Sequence, residues 1–536
     1  MLLGVGVFLA FAGWWVLIPS NIAWLTYRDR AMHTLGWFFY RDTPWSLPPG
    51  ASPRLGIELA NSIALVDGLP LFAIPFKLLS PLLGHPFQYW GWWGLLCFML
   101  QALFAYGLAR ELNASRLVAL IAAGFAVIAP ALLYRWPMHM ALGGHWTILA
   151  ALYLYVRRQP PSALMWPALV GVTAAIHAYL FAMVVCIWFA AWLQRLWLGH
   201  RSTAVIIEPV LVAIVAGVVL WSVGFFYTGS LGAAGFGYFR LNLLGPLISY
   251  GVWSQWLPSL PHSPDDSEGL SFLGVGIFGA IALTVLTGSA LRLRALFTRR
   301  WSLLLLVCIL LWVFALSNVI GLGDHEASPI PMGPFAPLGG IFRSSGRFVW
   351  PVLYLVTVGA VVLAARHLTP VIAATLLALL FAAQVYDSRV GWTAFRHDLP
   401  APGTTWTTPL ASSLWARAAA AGYNRLRSIP AVFNDLDYRP LEYYAYTHGM
   451  DTDAVHLGRI DDRALARLVA VGDTALATGS FEPHTLYILD FASVARAAAQ
   501  LRPGDLLTLV DGRFVFARGG AALAAGLALP QLGIAG

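Results

Sequence analysis

Apolar blocks of roughly membrane-spanning length recur along the chain as far as about residue 387, separated by short polar turns. A span needs about 20 apolar residues. Candidates lie at 1–19, 88–109, 116–134, 145–156, 163–178, 179–194, 203–225, 270–290, 301–320, 348–365 and 369–387, with the short block at 145–156 expected to begin a few residues earlier. After the first block the pattern breaks into a crowded polar loop, NIAWLTYRDRAMHTLGWFFYRDTPW. This loop sets Arg28, Asp29, Arg30, His33, Arg41 and Asp42 beside the membrane surface, and charges at a bilayer edge mark a site for a polar substrate. At 63–83 three prolines, Asp67 and Lys77 interrupt the apolar run. That segment reads as a helix lying at or dipping into the interface, with a full span as the alternative.

Basic residues decide between the two. If 63–83 does not cross, the inner loops are 110–116, 157–162, 194–202, 291–300 and 366–369, with eleven arginines in 36 residues. The opposite loops, 20–87, 134–145, 226–268 and 321–347, hold nine Lys and Arg in 150 residues. Positive residues gather on the cytoplasmic side, so the expectation is an α-helical polytopic membrane protein of about eleven spans. Its N-terminus would be cytoplasmic and everything after residue 387 outside. The first segment has no charged n-region and is followed by many more spans, so it reads as an uncleaved helix.

The stretch after 387 is far less apolar. Residues 409–428 and 462–470 look helical, the second capped by Asp461 or Asp462. AVFN, TLYIL and LLTLV have strand character, and Asp490 is placed to cap FASVARAAAQL. That strand–helix–strand order predicts a small C-terminal α/β domain over 388–536, beside a membrane domain over 1–387. GRFVFAR is expected to add an edge strand, and the apolar last residues to pack on the domain or the membrane.

Composition agrees with the pattern. Hydrophobic residues make up 59% of the chain and charged ones 11%, with a mean hydropathy of +0.71. A soluble protein of this size carries far more charge. The net charge of +8 speaks to topology and anionic lipid head groups, and no basic stripe interleaved with aromatics points to nucleic acid. The three cysteines, Cys97, Cys186 and Cys308, lie in apolar segments and read as small core residues.

Candidate chemistry concentrates in the four outward loops. The first carries Asp29, His33, Asp42, Glu58 and Asp67, and the second Arg135, His139 and His145, followed by Trp146. The third has Tyr238, Arg240, Asp265, Asp266 and Glu268, and the fourth Asp324, His325, Glu326, Arg343 and Arg347. Asp29, just outside the first span, is placed to act as general base on an acceptor hydroxyl; pairing with Arg28 or Arg30, or helix capping, is the plainer alternative. Arg343 and Arg347, four apart at the mouth of a span, suit a lipid phosphate, and equally a snorkelling anchor. His139 and His145 with Asp29 or Asp67 leave room for a divalent metal, although no zinc or calcium spacing is present and hydrogen-bonding histidines are the simpler reading. DDSE at 265–268 reads as a solvated loop capping the next helix. His177 reads as buried and hydrogen-bonded, and Glu208 is the main ionisable group inside a span. There is no GxSxG or phosphate loop.

The stretches DRAMHTLGWFFYRDTPW, GIELANSIALVDGLPLFAIPFKLLSP, FQYWGWW, GGHW and FRSSGRFVWP, with LEYYAYTHGMDTDAVHLGRID in the tail, resemble a bacterial family of uncharacterised polytopic membrane proteins. That family is similar in architecture to the GT-C glycosyltransferases. The resemblance implies a sugar transferred from a polyprenyl-phosphate donor to a glycan, lipid or protein acceptor outside the bacterial inner membrane. It makes Asp29 the general base, lets Asp67 orient the acceptor or a metal, and turns Arg343 to the donor phosphate. His33, Arg135, His139, His145 and Trp146 are the expected substrate-binding residues, and Arg347 joins Arg343 at the phosphate. The chain departs from the paired acidic motif of many GT-C enzymes, because Arg28 and Arg30 flank Asp29. Two other classes remain: a non-catalytic envelope-polysaccharide assembly protein, which would tolerate loss of Asp29, and a lipid-linked glycan transporter or flippase, for which internal repeats would be expected.

Overall fold

The computed structural model describes residues 1–159, 161–200, 202–229, 235–289, 298, 300–329, 331–332, 336–431, 437–457, 459–530 and 532. In chain order the helices begin with α1 (Leu2–Ala12), α2 (Arg28–Asp42), α3 (Pro70–Leu78), α4 (Trp90–Glu111), α5 (Arg116–Val127) and α6 (Pro130–Met138). They continue with α7 (Trp146–Val156), α8 (Met165–Ala174), α9 (Ala178–Trp197), α10 (Thr203–Ser222), α11 (Val275–Leu286) and α12 (Ser302–Leu316). After these come α13 (Ala336–Ile341), α14 (Trp350–Ala364), α15 (Pro370–Asp387) and α16 (Arg389–His397). The last four are α17 (Ser413–Ala420), α18 (Arg439–Thr447), α19 (Asp462–Thr478) and α20 (Phe491–Ala498). The chain divides into two compact units, one of residues 1–24, 84–220 and 232–404, the other of residues 25–83, 221–231 and 405–536.

The first unit is helical and built on an aromatic interior. Trp24, Trp90, Trp93, Trp136, Trp166, Trp350 and Tyr354 are fully buried. Ser115 and Thr369 cap α5 and α15 by accepting backbone N–H groups with their hydroxyls. Among the described residues, five helices are long and apolar enough to cross a bilayer: α4, α9, α10, α15 and the stretch Ser345–Ala364 that contains α14. Taking α5 and α6 as one span across their 43° bend makes six.

Among the described residues the expected count of eleven is not reached, because several apolar blocks are shortened or broken by turns. Gly13, at φ +80°, ends α1 after eleven residues. Pro130 follows the break between α5 and α6, and α8, expected over 163–178, holds only the ten residues Met165–Ala174. Helices of 10–17 residues cover only about 15–26 Å of a hydrocarbon layer about 30 Å thick. The block at 145–156 does start earlier, in the turn Met140–Gly143. On α10 the residues Ile206, Val210, Ile214 and Val218 form an exposed apolar row at a spacing of four, a surface suited to hydrocarbon. Arg201, Arg292, Arg294 and Arg299, part of the charge bias, fall outside the described residues.

The second unit holds a mixed five-stranded sheet. Its strands are β3 (Arg425–Ile429), β4 (Asp451–Thr452), β5 (Thr485–Leu489), β6 (Leu506–Val510) and β7 (Arg513–Ala517); β1 (Ile320–Leu322) and β2 (His325–Ala327) form a hairpin in the first unit. The sheet order is β4-β3-β5-β7-β6, parallel among the first three strands and antiparallel at β5–β7 and β7–β6. Ile429, Leu476, Phe481, Tyr487, Leu489, Leu507 and Phe516 make its core, and Leu532 packs against it.

TLYIL and LLTLV are strands as expected, and Asp461 and Asp490 cap α19 and α20 with their carboxylates. Three expectations for this region change. The helix over 409–428 stops at Ala420, since the chain turns at Gly422 (φ +80°) and enters β3. GRFVFAR is not an edge strand: Asp511-Gly512, both at positive φ, close a tight hairpin that lays β7 between β6 and β5. AVFN falls almost wholly on 432–436, outside the described residues.

The polar loop is part of this unit. Leu55 bridges Thr452 in parallel beside β4, with Gly56 N–H donating to the Thr452 carbonyl at 2.7 Å. Residues 63–83 contain only α3 and the turn Ser80–Leu82. At nine residues α3 is about 14 Å long, too short to cross a bilayer.

Candidate functional site

In the second unit, α2 carries the candidate chemistry on one face. Asp29 sits half-buried in its first turn, where unpaired backbone N–H groups and the helix dipole favour a negative charge. His33, four residues on and therefore on the same face, is fully buried, and its Nε2 lies 3.9 Å from an Asp67 carboxylate oxygen. Asp67 reaches this position from a tight turn: Asp67 and Leu69 both have positive φ, and Gly68 N–H donates to the Ile63 carbonyl. The turn comes so close to α2 that a Cβ on Gly36 would lie 2.4 Å from Val66. Gly36, one turn beyond His33, thus lets the Asp67 turn seat against the helix. The result is a row of carboxylate, imidazole and carboxylate. His33 and Asp67 are also of the ligand types that a divalent cation takes.

Helix α18 of the tail lies along α2. Phe38 stacks on Tyr446 with ring centroids 4.9 Å apart. Burial raises the pKa of the Tyr446 phenol, and the charge of Asp42 raises it further. Tyr438 is raised in the same way by burial, then by Glu442 and by Asp29 among its neighbouring charges. Glu442, fully buried, is pushed well above the carboxylate range. Nearby, Lys77 points its ammonium over Tyr40 at 4.1 Å and over Trp45 at 4.7 Å; burial pulls its pKa down to about 8, with Asp42 opposing. Arg41 ties down the turn after α3, donating to Ser80 Oγ at 2.9 Å and to the Leu83 carbonyl at 2.7 Å. Of the arginines flanking Asp29, Arg28 lies over the Tyr27 ring at 5.0 Å, and Arg30 is buried. Sequence reasoning did not single out Tyr438, Tyr446, Glu442 or Lys77 as site residues; the dense aromatics of LEYYAYTH were the available signal.

The first unit holds a separate charge cluster. Glu268 accepts from Arg135 Nη1 at 3.1 Å and from Arg347 Nε at 2.8 Å, and Arg135 also donates to the Ser267 carbonyl. Burial raises the Glu268 carboxyl, but Arg135, Arg347 and His139 together outweigh it and hold it below the usual carboxylate range. Asp266, fully buried, accepts from Asn242 at 2.8 Å and lies 3.6 Å from Arg240. The run 265–268 is therefore not a solvated loop: Asp266 and Glu268 are drawn inward by three buried arginines. The capping expected of it operates within its own turn, Pro264–Gly269, through a Ser263–Asp266 capping box.

The other expected residues of this unit differ in what their side chains do. Arg347 is committed to Glu268 and lies 4.7 Å over the Tyr179 ring. Arg343 is half-buried, 5.7 Å over the Phe239 ring, with no ion pair among the described residues. His145 hydrogen-bonds Tyr354 at 2.7 Å and packs on Trp350 at 4.1 Å, while Trp146 stacks on Phe104; both belong to the interior. His177 caps α9, accepting from Tyr179 N–H. Glu208 is buried against Arg195 and Trp188 Nε1, a structural pair inside a span. The three cysteines are free, with Cys97 and Cys308 buried.

A family model described as "Domain of unknown function (DUF6311)" matches residues 1–389, and one described as "DUF6311 C-terminal domain" matches residues 414–518. No curated protein matches the chain.

Proposed function

This chain belongs to the DUF6311 family, and we propose that it is a membrane glycosyltransferase that moves a sugar from a polyprenyl-phosphate donor to an acceptor hydroxyl outside the cytoplasm. The observation that carries this reading is the row of Asp29, His33 and Asp67 in the first loop. Asp29 takes the proton of the acceptor hydroxyl as it attacks the anomeric carbon, and the lipid phosphate leaves. With one base acting directly, the sugar inverts. Asp67, set beside the buried His33, orients the acceptor. The donor phosphate is assigned to Arg343, whose guanidinium has no ion pair among the described residues and suits bidentate contact. In this reading the protein sits in a bacterial inner membrane, with the short apolar helices completing about eleven crossings and the α/β region outside.

A second reading, a non-catalytic assembly protein, draws on the way the loop is stitched to the α/β region through Leu55 and Thr452. The test is release of polyprenyl phosphate from polyprenyl-phosphate sugars by the purified full chain in lipid, with an acceptor extract, beside Asp29→Asn. Turnover that Asp29→Asn abolishes supports the transferase. Absence of turnover across several donors, with Asp29→Asn still complementing a deletion strain, sinks it in favour of the assembly reading.

A further inference from the structure

The first unit contains an apolar groove of about 620 Å³ between α11, α12 and α14, within the ~300–1,000 Å³ range of ligand clefts. Ile281, Val285, Leu305, Ile309 and Leu355 line it, and Val285 and Ile309 are more than half exposed. One end of the groove is marked by Leu112, Trp301 and Arg366, residues at the ends of α4, α12 and α14.

Around the same turn that presents Leu112 lies a polar pocket of about 470 Å³, lined by Arg110, Glu111, Asn113, Arg157 and Arg158. The two cavities are joined structurally. Arg300 donates to the Val156 carbonyl at 2.9 Å, and Leu304 N–H donates to Tyr155 Oη at 3.2 Å, tying the start of α12 to the end of α7. Among the described residues Glu111 is the one carboxylate lining the pocket, 4.0 Å from Arg158. Three arginines therefore face one acid beside an apolar trench. These loops are among those whose arginines set the charge bias along the sequence.

We propose that the groove and the arginine pocket together hold one anionic phospholipid, an acyl chain along α11, α12 and α14 and its phosphate among Arg110, Arg157 and Arg158. The apolar wall supplies affinity by burying hydrocarbon. The arginines select the anionic head, as basic pockets between membrane helices do. A zwitterionic lipid fills the groove equally well but leaves the positive pocket uncompensated. The site is independent of the glycosyltransferase reading, since none of its residues serves the proposed reaction.

The test uses the full chain, stripped of lipid in detergent and offered phosphatidylglycerol or phosphatidylcholine of matched chains, with retention read by native mass spectrometry. The parent protein is expected to retain phosphatidylglycerol at least about tenfold better. Changing the exposed Arg110 and Arg158 and the half-buried Arg157 together to Gln should remove the preference and leave phosphatidylcholine retention unchanged. Gly359 lines the groove, and a Cβ there meets nothing within 4 Å; Gly359→Phe should therefore fill the groove and lower retention of both lipids. Equal retention of the two lipids by the parent, a preference that survives the triple change, or full retention by Gly359→Phe would each overturn the proposal. So would displacement of phosphatidylglycerol by millimolar inorganic phosphate, which would reduce the site to one for a free anion.

Discussion

The Arg427 guanidinium lies 2.7 Å from the Glu58 carboxylate, across 369 positions of sequence, and also reaches Asp453 at 3.4 Å. One buried cation on β3 thus holds a carboxylate of the first loop and one that follows β4. Removing it leaves Asp453 buried without its cation. Arg427→Ala should destabilise the second unit by about 3–5 kcal/mol. Glu58→Gln, at a half-exposed position, should cost about 1 kcal/mol or less. Thermal unfolding of the purified chain, with proteolytic release of the loop as a second readout, checks the difference.

The same cluster sets a pH dependence. Burial pushes the Asp453 carboxyl up from 3.8 to about 7, against the pull of Arg427. The native state then holds a proton that the unfolded chain has lost, so stability should fall as pH rises from about 4 to about 7 and level off above. Glu58 behaves oppositely: burial raises it, but the hydrogen bond and charge of Arg427, a backbone hydrogen bond and the charge of Arg425 together outweigh burial and hold it below 4.5. Its contribution is present above that value and is lost as pH falls below it. Asp453→Asn should flatten the slope between pH 4 and 7, and Glu58→Gln should change chiefly the acid limb, with a smaller effect on the slope because the Glu58 charge helps raise Asp453.

Gly36 and Val66 set the seat of the Asp67 turn. Gly36→Ala puts a methyl 2.4 Å from Val66 Cγ2, and should cost about 1–3 kcal/mol by overpacking. Activity should fall with it as Asp67 moves off His33. Adding Val66→Ala should recover part of both, since the residue-66 Cβ still lies 2.8 Å from the new methyl. A double change no better than Gly36→Ala alone would show that this contact does not place the turn.

If the loop is catalytic, its members should separate kinetically. Asp67→Asn and His33→Gln should lower kcat about 10²-fold by loss of alignment, while Asp29→Asn removes turnover itself. Steady-state assays on folded variants check the order; three equal losses with loss of fold would contradict it.

Glu268 is the keystone of the first unit's charge cluster. Glu268→Ala strands Arg135 and Arg347, both largely buried, and should destabilise by about 3–5 kcal/mol. Because the arginines hold this carboxyl below its usual range, its contribution is present above about pH 4.5 and should be lost only in strong acid. Melting temperatures of the parent and Glu268→Ala chains across pH 2–7 test both statements.

Much was legible along the chain because it depends on neighbours. Length of apolar run, charge density, the caps at Asp461 and Asp490, and the strands TLYIL and LLTLV all rest on contacts within a few residues, where local pattern and backbone hydrogen bonding agree. Asp29 and His33 were marked as candidates by their place in the polar loop just outside the first span; the helix that puts them on one face came with the fold. The Asp-Gly turn before β7 was also present in the sequence, and it is what moves that strand from the edge to the interior.

Tertiary structure decided the rest, because distant partners leave no periodic trace. Breaks at Gly13 and Pro130 cut apolar blocks that composition alone runs together. Packing of Tyr446 on Phe38 and pairing of Leu55 with Thr452 join a loop to a tail hundreds of residues away. Glu268 reads as one more loop acid until Arg135 and Arg347 close on it. A charge's role depends on what solvates it once folded. Sequence determines which charges exist and which segments suit lipid; only the fold determines which charges lose water and to whom they turn.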